Sequence, residues 1–355
     1  MRRINNIFRH FNSGHTFSSA KELKAGHINN TYLLESAEGP RFILQMINNE
    51  VFKDPLKLAH NFEILNRYVK PEIQKQAQYY FPEIFSPRPF MPFIKDADGN
   101  YWRLMEYIEN TSTYDIPPDP TFAFEGAKAF GNFQKTLLGL SESMFYTTIT
   151  SFRNLNMRVR SLKTAIKRDL VKRKESANDE INNIIHRENI NTDNHRLLKS
   201  GRLKKKITHN DTKPNNVLFD RESGKAKSVI DFDTVQPGYL IYDFGDMVRS
   251  FCNPAEEDAP DLQKVDVDRE IFRAIASGYI PELAQEFKKL EAKHISLGIK
   301  TIIYMQAARF LTDYLNGDIY YKTTYPEHNL NRCRNQLKML EQYLKKENEL
   351  VRIIK

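Results

Sequence analysis

Short runs of alternating apolar and polar residues fill the first hundred positions of the chain. Segments 21–26, 31–36 and 41–47 carry this alternation, and residues 37–40 form a turn signal with Gly and Pro between the last two. Successive side chains of a strand point to opposite faces of a sheet, so such runs are typical of strands buried on one face. The pattern predicts an antiparallel β-meander.

A helix and a further hairpin follow the meander. Through 54–69 the apolar residues recur at roughly helical spacing, which predicts a helix packed on the sheet. Segment 90–109 reads as two strands around the Asp-Gly pair at 98–99, a dipeptide typical of tight hairpin turns. We expect residues 107–110, at the end of this hairpin, to form a hinge.

Longer helical patterns begin after residue 115. The Pro-rich segment 116–120 marks the break, and one strand-like block at 207–232 interrupts the helices. The sequence therefore predicts an α+β chain with two lobes. An antiparallel sheet lobe spans 1–109, and a larger, mostly helical lobe spans 110–355.

The composition is that of an ordinary globular protein. Of the 355 residues, 40% are hydrophobic, which is enough to bury a full core. No run of 18 apolar residues occurs, and the basic start of the chain lacks the apolar core of a signal peptide. Cys252 and Cys333 are too few for a disulfide framework and lack zinc-ligand spacing. We expect a cytoplasmic protein without membrane contact, as a monomer or weak dimer.

The positive charge is concentrated in one segment. The chain carries a net charge of +8, and residues 153–206 alone contain 16 Lys and Arg against 6 Asp and Glu. This segment has no interleaved aromatic residues for stacking on bases. We interpret it as charged outer faces of helices that help to attract an anionic substrate, and we expect no nucleic-acid partner. A nucleic-acid-binding protein is the competing hypothesis, and it leaves the motif described next unexplained.

The strongest chemical signal lies in residues 207–234, ITHNDTKPNNVLFDRESGKAKSVIDFDT. His209, Asp211, Asn216 and Asp231 follow one another with the order and spacing of a phosphotransferase catalytic loop. A strand, a turn and a second strand separate the last two, and such a hairpin brings them side by side. A polar turn without catalytic function is the alternative interpretation.

Each of these positions suits one part of phosphoryl transfer. Asn216 and Asp231 offer an amide oxygen and a carboxylate, which are hard ligands suited to Mg²⁺. Asp211 is placed to accept the proton of an attacking hydroxyl, and Lys213 to reach the transferred phosphoryl group. His209 completes the predicted catalytic residues. We therefore expect a two-lobed protein-kinase-like fold that uses ATP and Mg²⁺.

A second string, Asp243-Phe244-Gly245, matches the metal-binding motif of protein kinases but lies too far along the chain. Asp231 has the hairpin partner that the metal ligand needs. We interpret Asp243 and Asp246 as structural carboxylates that brace the catalytic loop.

The phosphate groups of a nucleotide also need donors from the N-terminal lobe. The turn AGHINNTY, residues 25–32, offers backbone N–H groups and short polar side chains. Gln45 stands on the third strand, where protein kinases usually carry a Lys, and Glu63 on the following helix is placed to orient it. A pseudokinase is the alternative. The predicted nucleotide-binding residues are Gly26, His27, Asn29, Asn30, Thr31, Gln45, Glu106 and Tyr107.

A candidate acceptor site lies near the C-terminus. Arg309 and Asp313 are four residues apart in a helical pattern, so they share one side of the helix. An Arg and a carboxylate that point into a cleft can hold the vicinal hydroxyls of a sugar. A plain surface ion pair is the structural alternative.

The sequence resembles the N-acetylhexosamine 1-kinases, a branch of the aminoglycoside phosphotransferase-like kinase superfamily. The similarity spans nearly the whole chain and runs through GHINNTYLL, RFILQMINNEVF, THNDTKPNN, IDFDTVQPG, YDFGDMVR and RFLTDYLNGDIYYKTTYPEHNL. The Gln of the third strand is also a feature of that branch, whereas the first twenty residues and the basic middle segment match poorly.

This resemblance implies transfer of the γ-phosphate of ATP to the anomeric hydroxyl of N-acetylglucosamine or N-acetylgalactosamine. It implies that Asp211 is the catalytic base, that Asn216 and Asp231 hold Mg²⁺, and that residues 26–31 form the phosphate loop. The residues implied for sugar binding are Asp211, Arg309, Asp313 and Tyr314.

Kinases of the same fold that act on another hexose, choline, an aminoglycoside or homoserine are the alternatives. An amine or a quaternary ammonium needs an acidic or aromatic cage, and no such cluster stands out beyond the residues already assigned. Cys252-Asn253-Pro254 suggests a sulfatase, but the Arg expected two residues after that Pro is Glu256, which excludes this activity.

Overall fold

The computed structural model describes residues 2–23, 28–89 and 91–354. It confirms the predicted α+β architecture, with an N-terminal lobe built on an antiparallel sheet and a helical C-terminal lobe. The boundary at residues 109 and 110 stays a prediction. The N-terminal lobe contains β1 (Phe17–Leu23), β2 (Asn30–Ser36), β3 (Arg41–Met46), β4 (Ile84–Phe85), β5 (Phe93–Lys95), β6 (Tyr101–Glu106), α1 (Arg2–Arg9), α2 (Pro55–Ile64) and α3 (Lys70–Gln74).

These six strands form one sheet in the order β1-β2-β3-β6-β4, with β5 also paired to β6. The first three are the predicted meander, and β5 and β6 are the predicted hairpin, whose turn contains Gly99 at φ +87°. Gln45 of β3 lies directly opposite Arg103 of β6. Side chains in directly opposite positions contact one another on the same face of a sheet.

Helix α1 was not anticipated, because no element is predicted for the first twelve residues. Ile4, Ile7, Phe8 and Phe11 are buried there and pack against the outer face of the sheet around Trp102. Their spacing of three and four residues is the amphipathic signal that identifies the helix in retrospect.

The helix predicted over 54–69 is longer and less regular than its pattern indicates. It begins at Pro55, a residue favoured at the first helical position. After Ile64 it continues as a π-helical turn over Leu65–Val69 and then as α3. Pro71 has no N–H to donate to the preceding turn, and a locally widened turn accommodates its ring.

The C-terminal lobe holds one large core formed mainly by its helices. Helix α4 packs on α9, and α11 packs on both α8 and α12. Its elements are β7 (Thr111–Ser112), β8 (Lys206–Thr208), β9 (Val217–Asp220), β10 (Ala226–Val229), β11 (Gln236–Gly238), α4 (Pro120–Leu137), α5 (Leu155–Arg168), α6 (Asn178–His186), α7 (Asn189–Lys199), α8 (Leu240–Phe251), α9 (Arg269–Glu282), α10 (Ala284–Phe287), α11 (Ala292–Asn316) and α12 (His328–Ile354).

The Asp243-Phe244-Gly245 string lies inside α8. A Cβ atom on Gly245 would lie 2.9 Å from the carbonyl oxygen of Gly298 in α11. The glycine therefore lets the two helices approach closely. This string is part of a packed helix and not a metal-binding loop, as the sequence indicated.

The basic segment forms α5, α6 and α7, whose apolar faces are buried and whose charged faces point outward. Arg153, Arg158 and Arg173 are among the exceptions, because they are partly buried and donate hydrogen bonds into the lobe. In the part of the chain that the structure describes, no helix is long and apolar enough to cross a membrane.

Candidate active site

Two carboxylates from α8 hold the backbone of the catalytic loop, residues 209–216. Asp243 accepts hydrogen bonds from the N–H groups of His209 at 2.9 Å and Asn210 at 3.0 Å. Its carbonyl oxygen accepts one from the Thr212 hydroxyl at 2.7 Å. Buried N–H groups require partners, and here a neighbouring helix supplies them. The bracing function predicted for Asp243 is confirmed.

Asp246, one turn further along α8, braces the same loop. It accepts hydrogen bonds from the Thr212 N–H at 3.2 Å, from Arg153 at 2.7 Å and from Arg249 at 2.8 Å. Burial opposes its negative charge, but the two guanidinium groups outweigh burial and hold the pKa of Asp246 well below its usual range. Asp246 therefore stays ionised and ties three positively polarised groups together.

Asn210 has the uncommon φ of +63°, in the left-handed region that asparagine tolerates. Its side-chain amide donates to the carbonyl oxygens of Thr208, Thr234 and Gln236 at 3.0 to 3.2 Å. The next residue, Asp211, is left 21% exposed. The sharp turn at Asn210 thus separates the buried start of the loop from its solvent-facing carboxylate.

Asp211, Lys213 and Asn216 meet at the open end of the loop. Lys213 Nζ lies 3.1 Å from Asp211 Oδ2, and the Asn216 amide donates to the same oxygen at 3.0 Å. Burial disfavours the charge of Lys213, but Asp211 and Asp231 outweigh burial and raise its pKa. Within the described residues, Asp211 Oδ1 receives no hydrogen bond. One carboxylate oxygen is therefore held in place and the other is open to a ligand.

The predicted hairpin is present as β9 and β10, and the Ile230 N–H donates to the Asn216 carbonyl oxygen at 2.9 Å. Asp231 follows with φ +64°, a strained conformation of the kind that functional sites retain. Desolvation by the surrounding protein, and then the carboxylates of Asp233 and Asp211, raise the pKa of Asp231, although the residue is exposed to solvent. The carboxylates of Asp211, Asp231 and Asp233 together favour the binding of a cation at this position.

Asn216 and Asp231 fit a divalent cation. The amide nitrogen of Asn216 is directed at Asp211, which turns the amide oxygen to the other side. Within the described residues, no three His, Cys, Asp or Glu side chains gather as a complete metal site. Mg²⁺ commonly takes one or two protein carboxylates and completes its shell with phosphate oxygens and water. These two residues are therefore an adequate protein contribution when a nucleotide is bound.

The structure places His209 in the core and not in the cleft, which corrects its predicted catalytic function. Its ring is 1% exposed, packs edge-on against Phe130 and Phe133, and contacts the Ile230 carbonyl oxygen at 3.1 Å through Nε2. Burial lowers the pKa of His209 to about 4. The ring is therefore neutral and links the catalytic loop to the hairpin.

We expect His209 to make the folded state sensitive to acid. Its pKa of about 4 lies below the ordinary value of 6.5, so the unfolded chain takes up the proton first and stability falls as the pH drops from 6.5 towards 4. Between about pH 7.5 and 5 this group alone removes about 2 kcal/mol. Urea unfolding of His209→Gln at both pH values should lack this loss. An equal pH dependence in the unaltered protein and the variant would contradict the assignment.

The predicted phosphate turn is described from residue 28 onward, and Gly26 and His27 lie outside the described residues. Asn29 and Thr31 are buried, whereas Asn30, at the start of β2, is exposed. The side chains of Asn29 and Thr31 donate or accept hydrogen bonds within the protein. They are therefore placed to fix the backbone of the turn.

Gln45 is oriented by Arg103 and Thr31, and not by Glu63 as predicted. Gln45 Oε1 accepts from Arg103 Nε at 2.8 Å and Nη2 at 2.6 Å, and its amide donates to Thr31 Oγ1 at 3.0 Å. Glu63 instead lines a surface groove beside α2. The strand register explains the difference, because Arg103 is the cross-strand neighbour of Gln45.

Glu106 and Tyr107 lie at the end of β6, at the predicted hinge. The Glu106 carboxylate accepts hydrogen bonds from the Tyr80 hydroxyl at 2.5 Å and the Glu83 N–H at 3.1 Å. The ring of Tyr107 lies 4.3 Å from the guanidinium carbon of Arg41. Both side chains already have partners within the lobe. A ligand at this segment would therefore bind to backbone groups.

Arg309 lies among aromatic rings in α11 and its surroundings. Its guanidinium carbon lies 5.5 Å from the ring centre of Phe152, 5.8 Å from that of Tyr320 and 5.4 Å from that of Tyr321. It donates to Gln306 at 3.0 Å. The aromatic cluster therefore already contains a cation.

The surroundings of Arg309 contain more positive than negative charge. Asp211 and Arg249 lie within electrostatic reach of Arg309. Burial, and then the charge of Arg309, lower the pKa of Arg158 to about 10. In the described ranges neither Arg158 nor Arg309 has an ion-pair partner. Both arginines are partly buried. Charges removed from water are normally paired, so this region suits an electron-rich ligand.

Asp313 and Tyr314 were predicted to contact the acceptor, and their side chains are engaged elsewhere. The Asp313 carboxylate accepts three backbone hydrogen bonds from residues 319–321 at 2.8 to 3.0 Å and one from Asn329 at 2.9 Å. The Tyr314 hydroxyl lies 3.0 Å from that of Ser176. Asp313 therefore shapes the loop that carries Tyr320 and Tyr321, and Tyr314 belongs to the helix packing.

Several charged residues of the site were missed in the sequence. Arg103 is the one charged residue in the middle of β6, between Trp102 and Leu104, which is a signal for a buried partner. Asp233 stands two residues after Asp231, so a second carboxylate follows the predicted metal ligand. Arg158 has no comparable signal, because it stands among many basic residues of similar helical spacing.

Comparison with known proteins agrees with this geometry. The profile of the phosphotransferase enzyme family matches residues 19–274. An aminoglycoside phosphotransferase from Alicyclobacillus acidocaldarius is similar in structure, with a TM-score of 0.64, 12% identity, and coverage of 98% of this chain and 96% of that one. Choline kinase LicA from Streptococcus pneumoniae has a TM-score of 0.55, 13% identity, and coverage of 97% and 100%. A spectinomycin phosphotransferase in complex with ADP and spectinomycin has a TM-score of 0.55, 13% identity, and coverage of 99% and 97%. The structures share the fold, and the profile match, over more than half of the chain, shows that this protein belongs to the phosphotransferase enzyme family.

Proposed function

We propose that this protein transfers the γ-phosphate of ATP to the anomeric hydroxyl of an N-acetylhexosamine, either N-acetylglucosamine or N-acetylgalactosamine. The observation that carries the proposal is the Asp211 carboxylate, which has one oxygen held and one oxygen open and lies within electrostatic reach of Arg309 in its cluster of aromatic rings. The resemblance of nearly the whole sequence to N-acetylhexosamine 1-kinases supports the choice of sugar and of reacting carbon.

Asp211 acts as the catalytic base. Its Oδ2 is held by Lys213 and Asn216, so Oδ1 is available to the acceptor hydroxyl and takes up its proton as the new P–O bond forms. The bond between the γ-phosphorus and its bridging oxygen breaks in the same step, and ADP leaves. Lys213 stays protonated and offsets the negative charge of the transferred phosphoryl group. The hydrogen bonds that Asp243 and Asp246 accept from the loop backbone hold the loop in place. The loop therefore needs little rearrangement during the reaction.

Asn216 and Asp231 are the residues that hold Mg²⁺, which supplies charge neutralisation at the nucleotide phosphates when it is bound. A nucleotide in this cleft is supported by the spectinomycin phosphotransferase of similar fold, which was solved with ADP. The turn at 28–31 is linked to the same hairpin through Asn29 and Asp233. The phosphates therefore lie between the turn and the metal ligands.

The charge of the acceptor side favours a neutral polyol over an amine. A cationic acceptor needs acidic groups or an aromatic cage. Here the rings of Phe152, Tyr320 and Tyr321 already surround Arg309, and Arg158 adds a second positive charge. Arginine donors instead suit the hydroxyl and acetamido oxygens of an N-acetylhexosamine.

The test is turnover of Mg·ATP with a panel of acceptors, followed by location of the phosphorylated carbon by NMR. The panel contains N-acetylglucosamine, N-acetylgalactosamine, glucose, galactose, choline and an aminoglycoside. We expect phosphate at the anomeric carbon of an N-acetylhexosamine and no turnover of the two amines. Turnover of choline or the aminoglycoside alone would refute the proposed acceptor.

Replacing Arg309 with glutamine should raise the KM for the sugar about 10- to 100-fold, because a charged hydrogen-bond donor typically contributes about 1.5–3 kcal/mol. The KM for ATP should not change. Lys300→Gln, on the same helix but paired with Glu347, is the control and should leave both constants unchanged. Steady-state kinetics with each substrate varied in turn distinguishes these outcomes. An unchanged sugar KM in Arg309→Gln would remove Arg309 from the acceptor site.

A further inference from the structure

A buried ion pair joins the two lobes beside the metal-binding hairpin. Arg103 in β6 is 1% exposed and pairs with Asp233, which is 2% exposed and lies two residues after Asp231. The guanidinium carbon of Arg103 also lies 4.4 Å from the ring centre of Phe62 in α2. Charges buried this deeply persist only when their partners are fixed, so the pair defines one relative position of β6 and the hairpin.

The same ion pair holds segment 28–31, which contains the last residues of the turn and the start of β2. Arg103 donates twice to Gln45, and Gln45 donates to its cross-strand neighbour Thr31 in β2. Asp233 Oδ2 accepts from the amide of Asn29, the residue before β2, at 2.6 Å. One guanidinium and one carboxylate therefore connect a strand, a turn and the metal-binding hairpin.

Gln45, the residue of β3 in this network, provides neither the positive charge nor the geometry that links the sheet to Asp233. Gln45 is neutral, and its side chain reaches Thr31 within the same sheet. Arg103 carries a permanent charge on a planar fork, so it can bond the Gln45 oxygen and the Asp233 carboxylate at the same time. A lysine has no such fork.

We infer that Arg103 is a positioning residue for nucleotide binding, which holds the turn at 28–31 over the hairpin that carries Asp231. It acts through Gln45 and Asp233 and need not touch the nucleotide. This inference rests on the proposed function in one respect, namely that the ligand between the turn and the hairpin is a Mg²⁺-bound nucleotide.

The first experiment is calorimetric titration of ADP and ATP, with Mg²⁺, into the unaltered protein and Arg103→Gln. Loss of the link should raise the dissociation constants about 10- to 100-fold, the range typical of coupled sites. The KM for the acceptor should not change, because the ion pair does not reach the Arg309 side of the cleft. Arg334→Gln, which breaks the partly buried Arg334–Glu180 pair between α12 and α6, is the control and should bind both nucleotides normally.

Two further variants separate positioning from folding. Arg103→Lys keeps a charge beside Asp233 but loses the fork to Gln45, so it should melt close to the unaltered protein and bind ADP with intermediate affinity. Gln45→Met keeps the ion pair between Arg103 and Asp233 but removes both the link to Thr31 and the acceptor of two Arg103 hydrogen bonds. It should therefore fold, melt at a somewhat lower temperature and bind ADP more weakly. If Arg103→Gln does not fold, ADP binding by these two variants tests the inference.

Unchanged ADP affinity in Arg103→Gln or Gln45→Met, or an equal loss in Arg334→Gln, would overturn the inference and leave the proposed function intact. Absence of ADP binding by the unaltered protein would overturn the proposed function instead. In that case amide hydrogen exchange of residues 28–31, which needs no nucleotide, decides the inference. Faster exchange in Arg103→Lys and Gln45→Met supports it, and unchanged exchange refutes it.

Discussion

Replacing Asp211 with asparagine is expected to lower kcat about 100- to 10,000-fold, because asparagine cannot accept the proton of the acceptor hydroxyl. The substitution keeps the size of the side chain and its hydrogen-bonding position beside Asn216 and Lys213. The dissociation constant of ADP should therefore stay close to that of the unaltered protein. Rapid-quench measurement of a single turnover, combined with ADP titration, separates the chemical step from binding.

Asp220→Asn is the matched control for this substitution. Asp220 lies at the end of β9 in the same hairpin and is half-buried, and among the described residues its carboxylate accepts hydrogen bonds from Ser223 in the turn. We expect normal kcat in this variant. Near-normal turnover in Asp211→Asn would refute the assignment of Asp211 as the base, whereas equal losses in both variants would indicate damage to the hairpin.

Replacing Asp231 with asparagine should lower kcat/KM for Mg·ATP about 1,000-fold, since a catalytic metal ion provides several kcal/mol of stabilisation in the transition state. In the ligand-free protein this substitution should not reduce stability, in contrast to a substitution in the hydrophobic core. Desolvation, and then the charges of Asp233 and Asp211, raise the pKa of Asp231, so an uncharged side chain at this position removes both the desolvation cost and the repulsion. We expect no fall in the melting temperature of the ligand-free variant, together with loss of the thermal stabilisation that Mg·ATP gives to the unaltered protein.

Thermal melting with and without Mg·ATP, at several Mg²⁺ concentrations, measures both effects. Asp220→Asn again serves as the control and should respond to Mg·ATP normally. If Asp231→Asn is still stabilised by Mg·ATP at the same Mg²⁺ concentration, the metal ion is held by other residues.

The local part of the site could be predicted from the sequence. Asp211, Asn216 and Asp231 are separated by short segments, and hairpin geometry alone brings the last two to one end of β9 and β10. Asp243 was predicted to brace the loop, and two backbone N–H groups donate to it. Such predictions succeed because turn and strand periodicities determine which side chains are close when few residues separate them.

The sequence could not show the surroundings of side chains whose partners are distant along the chain. Helical spacing places Asp313 near the face of Arg309, but it does not show that the chain returns at residues 319–321 and offers three N–H groups to that carboxylate. His209 is of a residue type that often acts in catalysis. Its ring, however, is buried among aromatic rings, and burial lowers its pKa so that it is neutral.

The sequence by itself determined the two-lobed α+β plan, the catalytic loop and its hairpin, because periodicity and short spacings encode them. Only the tertiary structure decided that Arg103 meets Asp233 across the lobes and that Arg158 lies close to Arg309, neither of them in an ion pair with another described residue. The physical reason is that burial and electrostatic pairing depend on which elements pack together in space. No spacing along the chain specifies that arrangement for residues more than a hundred positions apart.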